Sequence, residues 1–185
     1  MTAEIVRDAD HKMDNAVEFA REEFAAIRTG RAHPAMFSKI MVEYYGTPTP
    51  LQQLASFQVP EARTILITPY DRGSMPAAER AIRDSDLGVN PSNDGNTIRV
   101  VLPVLTEDRR KEYTKLAKAK AEEGRVAVRN TRRHALDHLH KLVKDHEVSE
   151  DEGTRTEKQL DTLTKKHTDA VDELLKHKEA ELLEL

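Results

Sequence analysis

The chain of 185 residues contains no cysteine. It therefore forms no disulfide, offers no thiol nucleophile or thiolate metal ligand, and suits a reducing compartment. Aromatic residues are 4% of the chain, beside 38% hydrophobic and 34% charged residues, a composition that fits long amphipathic helices better than a broad globule. Apolar runs are short. None approaches the roughly 20 residues needed to cross a bilayer, and residues 1–8 have neither the apolar run of a signal peptide nor the Arg/Ser-rich, acid-poor character of a transit sequence. A cytoplasmic protein with no membrane partner is expected.

What is present divides into helical and non-helical stretches. Ile5, Ala9, Met13, Ala16, Ala20, Phe24 and Ile27 recur every three or four residues, the pattern of one amphipathic helix, expected to end near Thr29-Gly30 with Gly30 as its stop and Pro34 beyond. All eight prolines fall within residues 31–106. There Ile40–Tyr45 reads as a strand, Gly46–Pro50 as a turn, and Arg63–Thr68 and Thr97–Val101 as two further strands. A short helix is expected around Pro76–Ser85 and a polar loop over Asn90–Asn96, so the segment is a compact mixed α/β unit.

At Thr106 the helical period returns, with Glu107 and Asp108 in the first turn, where the helix dipole favours acids. Tyr113, Ala117, Ala121, Gly124, Val128, Thr131, Ala135, Leu139 and Leu142 then follow one face until Lys144, over about 57 Å at about 1.5 Å per residue. Ser149–Glu152 forms a capping-box signature for a third helix, whose stripe is Leu160, Leu163, His167, Val171, Leu174, Lys178 and Leu182. Lys178 is expected to run its stem along the seam and keep its ammonium in water. Three narrow stripes are most simply buried against each other. The expected fold is α+β: an elongated three-helix bundle (1–30 and 106–185) with an inserted small mixed α/β domain (31–105). Hinges are expected near 29–31 (Thr29, Gly30, Arg31) and 103–106 (Pro103, Val104, Leu105, Thr106).

The formal net charge of −4 conceals a strong polarity: residues 107–144 carry 12 basic and 6 acidic side chains, whereas 145–185 carry 6 and 13. At about 100° per residue, with Gly124 set to zero, Arg132 lies near 80°, Arg125 near 100°, Lys118 near 120°, and Arg129 and Lys111 near 140°. Five cations thus share one flank of the second helix, and Arg133 lies on its solvent side. Between Gly124 and Thr131 no acid sits at the spacing that pairs charges along a helix. The flank is either an ordinary solvated face or a polyanion-binding surface. Arginine forks engage phosphate oxygens in pairs, and the stripe lacks aromatics, which favours folded RNA contacted through phosphate and shape over stacked single strands.

Other chemistry finds little support. His134 and His138 have zinc-ligand spacing but no obvious third ligand. No phosphate-binding glycine loop, nucleophile elbow or acid/base pair can be nominated. No catalytic residue, metal or cofactor is expected.

Several runs together resemble the bacterial ribosome recycling factor family over essentially the whole chain. They are Ile27–Ala32 with Pro34; Val42–Gly46 with Pro50-Leu51 and Gln53–Ala55; Ser85–Pro91; Leu105–Lys111; and Arg125–Arg133. The resemblance implies an L shape like transfer RNA, with the bundle as the long arm. It implies a noncatalytic factor that binds large-subunit ribosomal RNA and, with elongation factor G and GTP, splits the post-termination ribosome. Carried over by position, Arg28, Arg31, Arg110, Arg129, Arg132 and Arg133 match the family's RNA-contacting residues, with Arg125 added by the geometry of the stripe. Arg28 and Arg31 serve equally well as supports of the joint. The resemblance also exposes departures: His134-Ala135-Leu136-Asp137 stands where Asp-Ala-Asn-Asp is usual, Tyr70 where tryptophan is common, and Lys165 where aspartate is. Leu136, near 120°, is expected inside the basic flank, making the RNA contact less polar there. A monomer is expected. The competing reading is a helical scaffold or chaperone-like module that docks acidic proteins.

Overall fold

The computed structural model describes residues 1–184. Helix α1 (Thr2–Ala25) buries Ile5, Ala9, Met13, Val17, Ala20 and Phe24. It stops short of Thr29-Gly30 because Ile27, Arg28 and Thr29 are all buried, at 5%, 5% and 7% exposure. Three successive buried side chains cannot share one face of a helix turning about 100° per residue. Thr29 Oγ1 also accepts a hydrogen bond from the Arg31 amide at 3.3 Å, a local bond that competes with the helical ladder. Gly30 is thus no helix stop: positive φ among the glycines belongs to Gly46, Gly88 and Gly95.

The insert opens with a 3-10 turn over Pro34–Phe37, followed by a hairpin, β1 (Met41–Tyr44) against β2 (Thr47–Pro50). Its turn is Tyr45-Gly46, with φ of 49° and 77°, the backbone that matches the twist of two-residue hairpins. The expected turn over Gly46–Pro50 is therefore mostly strand, and Pro48 and Pro50 are tolerated because β2 has a neighbour on one side only. One helical turn, α2 (Leu51–Leu54), leads into β3 (Ala55–Glu61) and β4 (Thr64–Pro69), followed by α3 (Met75–Arg83), β5 (Ser92–Asn93) and β6 (Ile98–Val101). These four strands form an antiparallel sheet in the order β3-β4-β6-β5. Its core gathers Phe37, Leu51, Ile65, Ile67, Ile82, Ile98, Val100 and Leu102, all fully buried. The loop joining β3 to β4 fastens both ends of the insert: the Ala62 carbonyl accepts from the Ala32 amide and the Arg63 carbonyl from the Leu102 amide, each at 2.7 Å.

Helix α4 (Glu107–Lys144) starts as expected, with Thr106 Oγ1 accepting from the Arg109 amide at 3.1 Å. Helix α5 (Glu150–Leu183) is capped likewise by Ser149 Oγ on the Glu152 amide at 3.2 Å. Gly124 of α4 lies where all three long helices come close together. A Cβ there would lie 3.3 Å from Ala20 Cβ of α1 and 3.4 Å from the Val171 methyls of α5. Toward the far end of α4 a second cluster joins Ile5, Ala9, Leu136, Leu139, Leu142, Val148 and Leu160. Leu136 is therefore core at 9% exposure, not part of the basic flank: a helix packed on two partners buries a wider arc than one stripe.

Two polar residues enter the seam. His167, at 2% exposure, donates from Nδ1 to the Leu163 carbonyl at 2.7 Å and places Nε2 2.7 Å from Asp14 Oδ1 on α1. Lys178, expected to reach water, is 7% exposed.

The chain divides into two compact units, one of Met1–Phe24 with Lys115–Glu179, the other of Ala25–Thr114 with the segment from Ala180 onward. The second is wider than the insert expected at 31–105, for it takes in the joint and the first turns of α4. Among the described residues no helix is long and apolar enough to cross a membrane.

The crowding at Gly124 sets an expected outcome. Gly124→Leu places a branched side chain where little space remains, so chemical unfolding should show a loss of about 2–3 kcal/mol. Gly124→Ala needs a shift of only tenths of an ångström and gains helix propensity of about 1 kcal/mol, leaving stability within about 1 kcal/mol of the parent.

Candidate nucleic-acid interface

Four of the seven nominated arginines lie on α4 within the first unit, and the structure gives three of them carboxylate partners. Arg125 reaches Asp172 of α5 with Nη1 at 2.7 Å and Glu122 with Nη2 at 3.0 Å. Arg129 Nη2 meets the other oxygen of Glu122 at 2.7 Å, and Arg132 Nε meets Asp161 of α5 at 2.7 Å. Arg133 is exposed and has no ion pair to a described residue. The expectation that no acid offsets the stripe is thus corrected. The window from Gly124 excluded Glu122, two residues upstream, and pairing along one helix leaves out acids supplied by its neighbour. The missed residues Asp161 and Asp172 had a visible signal, the excess of acids over residues 145–185.

These pairs are accessible. The carboxylates of Glu122, Asp161 and Asp172 retain 54%, 52% and 55% side-chain exposure. Pairs in such settings contribute about 0–1 kcal/mol each, so the guanidinium groups are positioned without being sequestered. The hydrogen bond from Arg125 holds the Glu122 carboxyl below its ordinary range, and Arg129 adds to the effect.

The other three nominated arginines belong to the second unit. Arg31 is exposed and Arg110 is half-buried, with its Nε buried and unpaired. Arg28 is drawn inward, donating from Nη2 to the Pro103 carbonyl. Desolvation lowers its pKa, while the adjacent Tyr113 phenol opposes that shift. It presents no open fork for phosphate and instead ties residue 28 to Pro103, joining the chain beside the two nominated hinge segments. Within those segments Thr29 and Leu105 are buried, whereas Arg31, Pro103, Val104 and Thr106 are exposed. Among the described residues, a Cβ on Gly30 would meet the Glu184 carbonyl at 3.5 Å, an ordinary contact.

His134 and His138 line a shallow recess between α1 and α4 with Asp8 and Lys12. The potential ligand atoms that do converge among the described residues are those of Asp10, Asp14 and His167, within 4.8 Å of one another. His167 is already hydrogen-bonded there.

The family model for the ribosome recycling factor matches residues 20–183. The chain belongs to the ribosome recycling factor family. It is 68% identical to the ribosome-recycling factor of Cutibacterium acnes over 99% of this chain and 100% of that one. It is 66% identical to that of a Nocardioides species, over the full length of both. A ribosome recycling factor solved in solution superposes with a TM-score of 0.77 at 41% identity, covering 100% of this chain and 98% of that one. A second similar structure, with a TM-score of 0.70, 42% identity and full coverage of both chains, is a T. thermophilus recycling factor described with E. coli elongation factor G on the E. coli post-termination complex. The recycling-factor fold thus accounts for the α+β arrangement of long helices and small antiparallel sheets.

Two outcomes follow from the site. Replacing Arg28 by methionine keeps much of the volume but removes the charge-assisted hydrogen bond to the Pro103 carbonyl, so denaturant unfolding should show a loss of about 1.5–3 kcal/mol. The Glu122 carboxyl should titrate at lower pH than an unpaired glutamate when followed by carbonyl-carbon NMR, and move back up in Arg125→Ala. Its folded-state pKa is depressed, so its contribution to stability is present above the unfolded value and lost as pH falls through the folded one.

Proposed function

We propose that this chain is a noncatalytic translation factor that binds ribosomes, chiefly large-subunit ribosomal RNA, and with elongation factor G and GTP dissociates post-termination ribosomes into subunits for reuse. The observation that carries the RNA contact is the run of four guanidinium groups on one surface of α4, at Arg125, Arg129, Arg132 and Arg133. The accessible partners of the first three can be exchanged. The similar recycling factor described with elongation factor G on a post-termination complex supports the choice of partners. Arg31 and Arg110 extend the proposed contact. Arg28 serves the joint, where its bond to Pro103 couples the segments proposed as hinges, Thr29–Arg31 and Pro103–Thr106. The factor acts as a monomer in the cytoplasm, and its work is mechanical and electrostatic.

The test is a splitting assay with post-termination ribosomes, elongation factor G and GTP. Subunit release that depends on the protein supports the reading, and indifference to ribosomes refutes it in favour of a scaffold. For the contact itself, Arg132→Ala should weaken large-subunit binding about tenfold, the scale of one charge-assisted contact of about 1.4 kcal/mol. It should also flatten the dependence on salt, because fewer counterions are released. Equal binding across a salt series would eliminate Arg132 from the contact.

A further inference from the structure

The carboxylates that meet the basic stripe occupy places a phosphate's oxygens would take. Glu122 sets Oε1 2.7 Å from Arg129 Nη2 and Oε2 3.0 Å from Arg125 Nη2, so one carboxylate bridges two guanidinium groups a helical turn apart. Asp172 holds Arg125 Nη1 and Asp161 holds Arg132 Nε, each at 2.7 Å. Three forks are thereby fixed in charge-assisted hydrogen bonds of the kind they would make to RNA. The acids are half exposed, so their contribution to folding is small. Their position makes them competitors for whatever anion the arginines bind.

We propose that Glu122, Asp161 and Asp172 are the built-in counterions of this surface. They hold the arginine forks ready while the protein is free, give way to phosphate oxygens on binding, and by that exchange keep the affinity low enough for release. The inference rests on the proposed RNA contact. Every arginine that transfers to phosphate leaves a bare carboxylate within a few ångströms of the new partner. That carboxylate repels the phosphate and retains a cation from solution, so binding releases fewer net counterions than the number of arginines engaged. Neutralising an acid removes both penalties. The loss of fork positioning is a smaller effect, because Arg125 is itself held to 23% exposure against the bundle and Arg132 to 35%.

The experiment measures binding of the full chain to purified large subunits over a salt series, for the parent, Glu122→Gln, Asp161→Asn, Asp172→Asn, the triple variant and Arg132→Ala. Circular dichroism and melting verify that each variant is folded. Each acid variant should bind about two- to fivefold more tightly at low salt, with a log–log salt slope steeper by up to about one and slower dissociation; the triple variant should show the largest change. Acid variants that bind no better than the parent, or keep its salt slope while Arg132→Ala weakens binding, overturn the counterion role and leave the RNA contact standing. If Arg132→Ala binds like the parent, its contact fails, and the role of Asp161 fails with it.

Discussion

The close approach of three helices at Gly124 is the constraint on which both the core and the surface of the bundle depend. With hydrogen in place of a side chain, α4 settles against Ala20 on one side and Val171 on the other. The residue after Gly124 is Arg125, and the residue after Val171 is Asp172; these two form the 2.7 Å pair across the helices. The same happens farther along, where Asp161, the partner of Arg132, follows the fully buried Leu160. Apolar packing sets the register, and the charges at the rim of the seam inherit it. A larger residue at position 124 would therefore disturb the arginine forks as well as the core.

A second element of register is polar. His167 sits in the seam with both ring nitrogens engaged, one by its own helix and the other by Asp14 of α1. A slip of α5 against α1 would carry the ring away from that carboxylate and leave a buried nitrogen without a partner, at a cost of about 1–3 kcal/mol. Gly124 limits how near the helices come; His167 favours one axial setting of α5 on α1. Gly153 adds a third restraint, since a Cβ there would fall 2.7 Å from a Val143 methyl, so the start of α5 lies directly on the end of α4.

The long helices were legible because their periodicity extends over many turns and their first turns carry recognisable caps at Thr106 and Ser149. The insert was less so. Strand β3 has one buried and one half-buried residue among its seven, so no alternation betrays it, and β2 is written in threonine and proline, residues that signal a turn. The end of α1 was misplaced because burial of Arg28 depends on a hydrogen bond to a residue 75 positions away. Leu136 went astray because angles on one helix do not say how many neighbours it has. The arginines of the stripe were found from α4 alone, but their partners on α5 required the fold. The five family-like runs identified the lineage, yet none contains Asp161 or Asp172.

Those partners alter how the polarity of the sequence should be understood. An excess of positive charge on α4 beside an excess of negative charge on α5 suggests a steering field, but Arg125, Arg129 and Arg132 are paired within the bundle. At physiological salt, fields between exposed charges fade over about 8 Å, and a paired arginine projects even less. Under the proposed RNA contact, the surface attracts a polyanion weakly from afar and strongly only at contact, when phosphate oxygens come close enough to displace carboxylates. A lone phosphate meets that competition at one fork. An RNA surface that presents several phosphates at the spacing of Arg125, Arg129 and Arg132 meets it at all three, and the added contacts then act together. On the proposed contact, discrimination by the stripe thus comes from matching a rigid row of forks, with the helix supplying the spacing and the acids opposing partial matches.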